Sequence, residues 1–207
     1  MKVALVGGTG SFGQAVAKRL VDVGVEIVIG SRDAGRAREA ATPLGAQGAS
    51  NEDAVRDVDL VLLAVKSEAA VETARELRAA IRTTPVLSVC AELRFESGGV
   101  KPTVEATSIA ERIQAELDGP VVAGLHSLAA ASLADAPPDE DALVCGDDAP
   151  AKELALELAA RLVSGNAVDA GPLASARALE GMTAVIVNVN KRYKAHAGLR
   201  VTGLSRR

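Results

Sequence analysis

The sequence contains few aromatic residues and few side chains that could ligate a metal or attack a substrate. Its 207 residues include two phenylalanines, one tyrosine, no tryptophan, two cysteines and two histidines. This scarcity argues against stacking of nucleic-acid bases or flavin rings on aromatic side chains. Two isolated thiols form neither a disulfide framework nor a metal site, so we predict no metal. We expect Cys90 and Cys145 to be buried free thiols.

Long apolar runs and an excess of basic residues are also missing. No run approaches the roughly twenty residues of a membrane-spanning helix, and the first residues form a charged strand instead of a signal peptide. The net charge of −4 offers no electrostatic footprint for nucleic acid. We therefore expect a cytoplasmic protein whose partners are neither membranes nor nucleic acids.

Short apolar segments alternate with segments of helical spacing along most of the chain. The apolar segments are 3–7, 26–30, 59–65, 85–90, 120–125 and 142–146, and the helical ones are 11–23, 33–42, 67–81 and 103–117. This alternation predicts an α/β fold, a doubly wound parallel sheet of the Rossmann type with helices on both faces. Later helical segments (151–162 and 173–190) predict a domain of residues 1–148 and a small, mostly helical C-terminal extension of residues 149–207.

A glycine-rich turn follows the first apolar segment. Gly8, Gly10 and Gly13 have the G-x-G-x-x-G spacing of dinucleotide-binding turns. Gly8 permits a tight turn, Gly10 lets backbone approach a pyrophosphate, and Gly13 lets the helix pack on the strand. The N-terminus of the following helix favours the negative charge of the pyrophosphate. The predicted cofactor-binding residues of this turn are Gly8, Thr9, Gly10, Ser11, Phe12 and Gly13.

The residues after the second strand indicate which dinucleotide binds. An acidic residue at that point typically binds the ribose 2′-hydroxyl of NAD, whereas this sequence has Ser31 and Arg32. Arg36, one helical turn later, adds a second cation for a 2′-phosphate. Asp33 is the one residue that favours NAD. We predict NADP(H) binding, with Ser31, Arg32 and Arg36 on the 2′-phosphate side.

Five segments resemble the family of F420-dependent NADP oxidoreductases: residues 3–10, 29–32, 144–148, 169–173 and 192–198, the last being similar to bacterial members. Together they span almost the whole chain, and the segments containing Gly-Asp-Asp and Asp-Ala-Gly-Pro-Leu are the more specific. The resemblance implies direct hydride transfer between NADPH and the deazaflavin ring of coenzyme F420, with the two rings stacked. The protein then supplies orientation and electrostatics.

The resemblance also implies roles for individual residues. His126, at the end of the 120–125 segment, is expected beside the deazaflavin, where its imidazole could donate a hydrogen bond to a ring carbonyl. Leu128 is expected to pack where the two rings meet, and we predict these two residues as the catalytic pair. Arg177 and Thr183 match polar residues that hold the deazaflavin. From the residues alone, two alternatives stay open: His126 as a helix-capping or hydrogen-bonded core histidine, and Arg177 as a surface ion-pair partner.

The sequence departs from the family's pattern at three positions near the expected rings. Ala64 and Val65 are expected to bind the cofactor beside the nicotinamide, but Lys66 follows them where the family has proline. Glu92 stands where a small or apolar residue is usual. Gly181 replaces a hydroxyl donor of the archaeal members.

Features of the C-terminal third allow two further expectations. The apolar stripe of residues 182–189, together with the resemblance, predicts a homodimer. The basic residues Lys191, Arg192, Lys194, Arg200, Arg206 and Arg207 form either a solvated tail or an attraction for the anionic tail of F420.

Two other functions stay open at this point. One is an NADPH-dependent imine or keto-acid reductase of the 6-phosphogluconate dehydrogenase-like superfamily, whose members usually carry a large helical domain. The other is a redox sensor that binds NADP without catalysis.

Overall fold

A computed structural model describes residues 1–133 and 136–204, and its main feature is an eight-stranded sheet. The strands are β1 (Lys2–Val6), β2 (Glu26–Ser31), β3 (Gln47–Ser50), β4 (Leu60–Leu63), β5 (Val86–Ser88), β8 (Val121–Gly124), β9 (Ala142–Gly146) and β10 (Ala167–Asp169). Their order across the sheet is β10-β9-β8-β5-β4-β1-β2-β3. Strands β6 (Leu93–Glu96) and β7 (Gly99–Pro102) form a separate antiparallel hairpin.

Helices cover both faces of this sheet. They are α1 (Ser11–Asp22), α2 (Ala34–Ala41), α3 (Asn51–Ala54), α4 (Ser67–Ile81), α5 (Ile109–Gln114), α6 (Ala130–Leu133), α7 (Ala149–Leu162) and α8 (Ala176–Tyr193). Helices α1, α2 and α7 pack into the core on one face, and α4, α5 and the start of α8 into the core on the other. The fold class is therefore confirmed: a Rossmann-type α/β sheet with helices on both sides.

The inner strands of the sheet are apolar on both of their faces. Along β1, Val3 and Leu5 belong to one core, whereas Ala4 and Val6 belong to the other, and all four are fully buried. Such continuous apolar strands are typical of parallel sheets covered on both faces. The inner strands therefore form the middle layer between the two cores.

The two last strands run against the other six. Strand β9 pairs antiparallel with β8, and β10 pairs parallel with β9. The sheet is thus mostly parallel, and the parallel arrangement does not extend to β9 and β10. Strand β9 begins beside the carboxyl end of β8, the edge where ligands of such sheets bind.

Several other elements differ from the sequence-based expectations. Helix α5 begins at Ile109, where Ser108 and Glu111 form a capping box, so the predicted helix 103–117 is too long at both ends. Strand β3 and the hairpin β6–β7 were not predicted. The sheet itself continues past residue 148 through β10, and the division of the chain at that residue stays a prediction.

Candidate functional site

The turn between β1 and α1 is built by glycines that have no room for a side chain. Gly7 has a φ of +85°, and a Cβ atom there would lie 2.6 Å from the Ala64 carbonyl oxygen. A Cβ on Gly8 would meet the Leu5 carbonyl oxygen at 2.9 Å, and one on Gly13 would meet the Gly8 Cα at 2.7 Å. The left-handed residue that makes the turn is therefore Gly7, and not Gly8 as the sequence motif suggested.

Gly10 differs from these glycines because its surroundings are open. A Cβ there would meet only the Gly7 carbonyl oxygen, at 3.5 Å. Gly10 is the N-cap of α1 and provides no side-chain acceptor, and no acidic residue lies in the first turn. Thr9 and Ser11 are exposed beside it. This bare, uncharged helix N-terminus is a suitable site for a pyrophosphate.

The residues predicted to bind the 2′-phosphate lie at the end of β2 and the start of α2. Arg32 and Arg36 are exposed. The Asp33 carboxylate accepts hydrogen bonds from the backbone N–H groups of Gly35 (2.8 Å) and Arg36 (3.3 Å), and so caps α2. The Ser31 hydroxyl accepts one from the Asp33 N–H at 3.3 Å. The only acidic side chain of this corner is therefore engaged by the helix.

The segment after β4 lies against the glycine turn. The Ala64 N–H donates to the Val6 carbonyl oxygen at 2.8 Å. The buried Cys90 thiol donates to the Val65 and Leu63 carbonyl oxygens at 3.3 and 3.4 Å. Burial raises the pKa of this thiol to about 12, so Cys90 is a neutral structural group.

A small cleft of about 200 Å³ opens at the carboxyl edge of the sheet. Its lining residues are Phe12, Val89, Ala91, Leu125, His126, Leu128 and Thr183. The cleft thus brings together one residue of the predicted NADP turn and three of the four residues predicted for the deazaflavin side. Its walls are mainly apolar, which excludes water from a reaction between two rings.

His126 is the one ionisable side chain of the cleft wall. It follows Leu125, a non-glycine residue with a φ of +66° that comes directly after β8. The His126 Nε2 lies 3.1 Å from the Cys90 carbonyl oxygen, and its Nδ1 is buried and finds no partner among the described residues. Burial lowers the pKa of His126 to about 4. The imidazole is therefore neutral near pH 7.

The hydrogen bond to Cys90 determines which ring nitrogen carries the proton. A backbone carbonyl can only accept a hydrogen bond, so the Nε2 of His126 is the protonated nitrogen. Its Nδ1 is then an acceptor. Donation from this imidazole to a ring carbonyl, as we expected from the sequence, does not agree with this arrangement.

Helix α8 places Thr183 on the cleft but directs Arg177 elsewhere. The Thr183 hydroxyl donates to the His126 carbonyl oxygen at 2.9 Å. The Arg177 Nε donates to the Glu105 carbonyl oxygen at 2.8 Å, and Arg177 is not part of the cleft wall. A Cβ on Gly181 would make only an ordinary contact of 3.5 Å with Pro102.

At residues 66 and 92 the sequence departs from the family's pattern, and the structure shows where these two side chains lie. Lys66 is exposed and is the N-cap residue of α4. The Glu92 carboxylate pairs with the Arg112 guanidinium of α5 at 2.7 Å. The negative charge of Glu92 is therefore compensated by α5.

The two specific segments of the resemblance hold each other. The Asp147 carboxylate accepts from the Leu173 N–H at 3.0 Å, and the Gly146 N–H donates to the Gly171 carbonyl oxygen at 3.0 Å. Asp148 caps α7. These segments therefore join β9 to the start of α8, and their role visible in the structure is to position that helix.

Four residues of the site do not belong to any of the sequence motifs. Gly7, Leu125 and Cys90 act through backbone conformation or backbone hydrogen bonds. Glu180 of α8 is buried, and its carboxylate accepts from the N–H groups of Ile109 and Ala110 at 3.0 and 3.1 Å. Of these, only Gly7 carried a signal, since it directly precedes the glycine motif.

The described residues offer neither a metal cluster nor a membrane-spanning helix. Residues 1–133 and 136–204 contain no cluster of three or more His, Cys, Asp or Glu that could hold a metal ion. In the same residues, no helix is both long and apolar enough to cross a membrane. In the basic tail, Arg200 pairs with Asp139 at 2.7 Å, and Arg206 and Arg207 lie outside the described residues.

The chain is similar in sequence to one protein family and in fold to a solved structure. A model of the family described as NADP oxidoreductase, coenzyme F420-dependent, matches residues 2–92. An F420-dependent NADP reductase of Methanothermobacter thermautotrophicus is 32% identical over 222 residues, which cover 99% of this chain and 96% of the relative. One of Methanocaldococcus jannaschii is 33% identical, with 99% of both chains covered. A crystal structure from Arthrobacter sp. FB24 has the same fold, with a TM-score of 0.83 at 24% identity, covering 98% of this chain and 99% of that one.

Proposed function

The chain belongs to the family of coenzyme F420-dependent NADP oxidoreductases, and on that premise we propose how its residues perform the reaction. The protein is an oxidoreductase that transfers a hydride between NADPH and F420. The observation that carries the assignment of residues is the cleft beside His126. Phe12 of the glycine helix and Leu128 of the opposite wall line that same cleft, so a single space connects the two half-sites.

We assign the NADP(H) half-site to the edge formed by β1, β2 and β4. Gly10 leaves open the position that a side chain would fill, whereas Gly7, Gly8 and Gly13 are closed by backbone. The pyrophosphate fits the bare N-terminus of α1, within residues 8–13. Ser31, Arg32 and Arg36 would hold the 2′-phosphate, because the carboxylate of Asp33 is already bound to α2. Ala64 and Val65 would border the nicotinamide.

We assign the deazaflavin half-site to the cleft wall. When both are bound, NADPH and the deazaflavin of F420 supply the chemistry, a hydride moving from ring to ring. The chain orients the rings and excludes water, and stacking geometry then controls the barrier. Leu128 would pack against the rings, and Thr183 holds the His126 backbone by its hydroxyl.

His126 and Arg177 would act as polar contacts of this half-site. His126 keeps its proton on Nε2, held by the Cys90 carbonyl, and offers the Nδ1 lone pair to a donor on the ligand. Arg177 uses its Nε for Glu105, which leaves the two terminal NH2 groups of its guanidinium for an anionic group.

We also propose a cytoplasmic homodimer. Val185 is 58% exposed and Tyr193 is 70% exposed, both on α8. Exposed apolar side chains on a helix that also carries part of the site are well placed for a second copy of the chain.

The assignment is tested by mixing the purified protein with NADPH and F420 and following the visible absorbance of the oxidised deazaflavin. We expect rapid loss of absorbance, which slows strongly in His126→Ala. His196→Ala is the matched control, since His196 is exposed and is the only other histidine. Bound NADPH without turnover would support a sensor instead, and full activity of His126→Ala would remove His126 from the mechanism.

A further inference from the structure

Cys90 is the residue that contacts both half-sites. Its thiol donates to the Val65 carbonyl oxygen, and its own carbonyl oxygen accepts from the His126 Nε2. Its sequence neighbours Val89 and Ala91 both line the cleft. We propose that Cys90 is a positioning residue that sets the spacing between the nicotinamide segment and His126, an inference that rests on the proposed function.

Cys90 is one member of a continuous chain of contacts across the site. The glycine turn packs on Ala64, where a Cβ of Gly7 would lie 2.6 Å from the carbonyl oxygen. The next residue, Val65, accepts from the Cys90 thiol, and Cys90 accepts from His126. The His126 carbonyl then accepts from Thr183 of α8 at 2.9 Å. Cys90 is the central member: its side chain points to the nicotinamide segment and its backbone carbonyl to His126.

The surroundings of Cys90 make these contacts specific. The residue is 3% exposed, so its thiol exchanges no hydrogen bonds with solvent. The Leu63 carbonyl oxygen also accepts from the Val89 N–H at 3.2 Å, whereas Val65 lies beyond the end of β4 and its carbonyl oxygen accepts from the Cys90 thiol. The thiol therefore holds the segment after β4 close to the end of β5. It thereby determines where the Cys90 carbonyl meets the imidazole.

The Cys90 carbonyl also has a chemical effect on His126. Because it accepts from Nε2, it keeps the neutral imidazole in one tautomer and leaves Nδ1 as the acceptor. Among the described residues His126 Nδ1 is buried without a partner, in a residue that is 7% exposed and borders the cleft. A shift of the Cys90 backbone would therefore change both the position of the ring and its donor–acceptor pattern.

The test compares two substitutions that remove a buried thiol. Cys90→Ala removes the contact with Val65 and Leu63, while Cys145→Ala removes the other buried cysteine, in β9. We expect Cys90→Ala to lower kcat with NADPH and F420 by about tenfold, as small misplacements of reacting groups do, and to raise the KM of both substrates. Cys145→Ala should keep all three constants close to wild type after correction for folded fraction. Cys90→Ser retains a donor and should recover part of the loss.

A second measurement does not depend on turnover. The ring ¹⁵N shifts of His126, assigned with His196→Gln, should show protonated Nε2 and unprotonated Nδ1 in wild type and in Cys145→Ala. Cys90→Ala should show a mixture of tautomers. Equal behaviour of Cys90→Ala and Cys145→Ala in both measurements would overturn the proposal. A wild type that does not reduce F420 would instead overturn the proposed function, and the tautomer measurement would still report on Cys90.

Discussion

The charge around Ser31, Arg32 and Arg36, the residues assigned to the 2′-phosphate, depends on the direction of the Asp33 carboxylate. It accepts two backbone N–H groups at the start of α2, so it compensates the helix dipole and not the neighbouring arginines. Arg32 and Arg36 form no ion pair with another described residue. Their charges therefore remain available to an anion.

Arg32→Ala should weaken NADPH binding far more than NADH binding. A charge-assisted hydrogen bond to phosphate contributes about 1.5–3 kcal/mol, so the NADPH Kd should rise by roughly ten- to a hundredfold. The NADH Kd should change less than about twofold, since NADH has no 2′-phosphate. Fluorescence titration measures both constants. Arg38→Ala, an exposed arginine of the same helix, is the control, and equal weakening of both nucleotides would contradict the assignment.

The buried imidazole of His126 makes folding stability depend on pH. Burial lowers its pKa in the folded protein to about 4 from an ordinary value of 6.5, so the unfolded chain takes up the proton first as the pH falls. This contribution to stability is complete above pH 6.5 and is lost as the pH falls towards 4. At about 1.4 kcal/mol per pKa unit, the loss is about 2 kcal/mol at pH 5.

His126→Gln should remove that pH dependence. Urea unfolding at pH 7 and pH 5 measures the free energy of unfolding, and the wild type should lose more stability between them than the variant. The comparison with the variant matters because Glu140, whose pKa is raised to about 6 by burial, contributes with the opposite sign. His196→Gln should retain the wild-type slope. A variant with an unchanged slope would show that the pKa of His126 is the same in the folded and the unfolded chain.

For single residues, the residue types of the site could be predicted from the sequence, but their hydrogen-bond partners could not. The glycine motif and Arg32 follow from local spacing, which is a property of one short segment. The tautomer of His126 depends on the carbonyl of Cys90, 36 residues away. The hydrogen bonds of the Cys90 thiol depend in turn on carbonyl oxygens at and just beyond the end of β4. Such long-range backbone contacts leave no pattern in the residues themselves.

At the scale of elements, α8 is the helix that holds the acceptor side together. Thr183 binds the His126 carbonyl, and the Asn188 amide pairs with both backbone groups of Val100 at 2.7 and 2.8 Å. Glu180 caps α5 with both carboxylate oxygens. One helix thus fixes the hairpin, the start of α5 and the histidine.

Glu180→Gln should destabilise the protein even though the two side chains have the same shape. A glutamine has one acceptor oxygen, so its NH2 group would face the N–H of Ile109 or Ala110, and one buried donor would lose its partner. We expect a loss of about 1–3 kcal/mol in the free energy of unfolding, measured by urea titration. Glu153→Gln, an exposed position of α7, is the control. Equal stability of Glu180→Gln and wild type would mean that α5 does not need this cap.

Most elements were predictable because their apolar spacing is strong. Helix α4 was predicted with its observed ends, and α1 and α2 to within one residue. The hairpin β6–β7 was missed because its pattern is interrupted: Phe95 is 71% exposed while Val100 is buried against α8. The hairpin is held to α8 by the hydrogen bonds of Asn188, which leave no alternating pattern in its own sequence.

At the scale of the whole molecule, the reversed edge of the sheet gives the site its second wall. The segment that directly follows β8 places Leu125, His126 and Leu128 beside the cleft at the carboxyl edge. A crossover helix at that point would have carried the chain to the opposite edge. The sequence contains no signal for this reversal, because the orientation of β9 depends on which neighbour it pairs with.

The exposed face of α8 leads to a prediction about assembly. Val185 is a large apolar side chain that is 58% exposed, and it lies two residues after Thr183, which lines the cleft. If a second copy covers this face, the native protein should have the mass of a dimer in size-exclusion chromatography with light scattering. Val185→Glu should then yield monomers, because a carboxylate without a partner is costly to bury in an interface. Val104→Glu, at a position that is 71% exposed in the loop before α5, should remain dimeric. A wild-type protein that is monomeric at micromolar concentration, or a Val185→Glu variant that stays dimeric, would show that this face is not the contact between subunits.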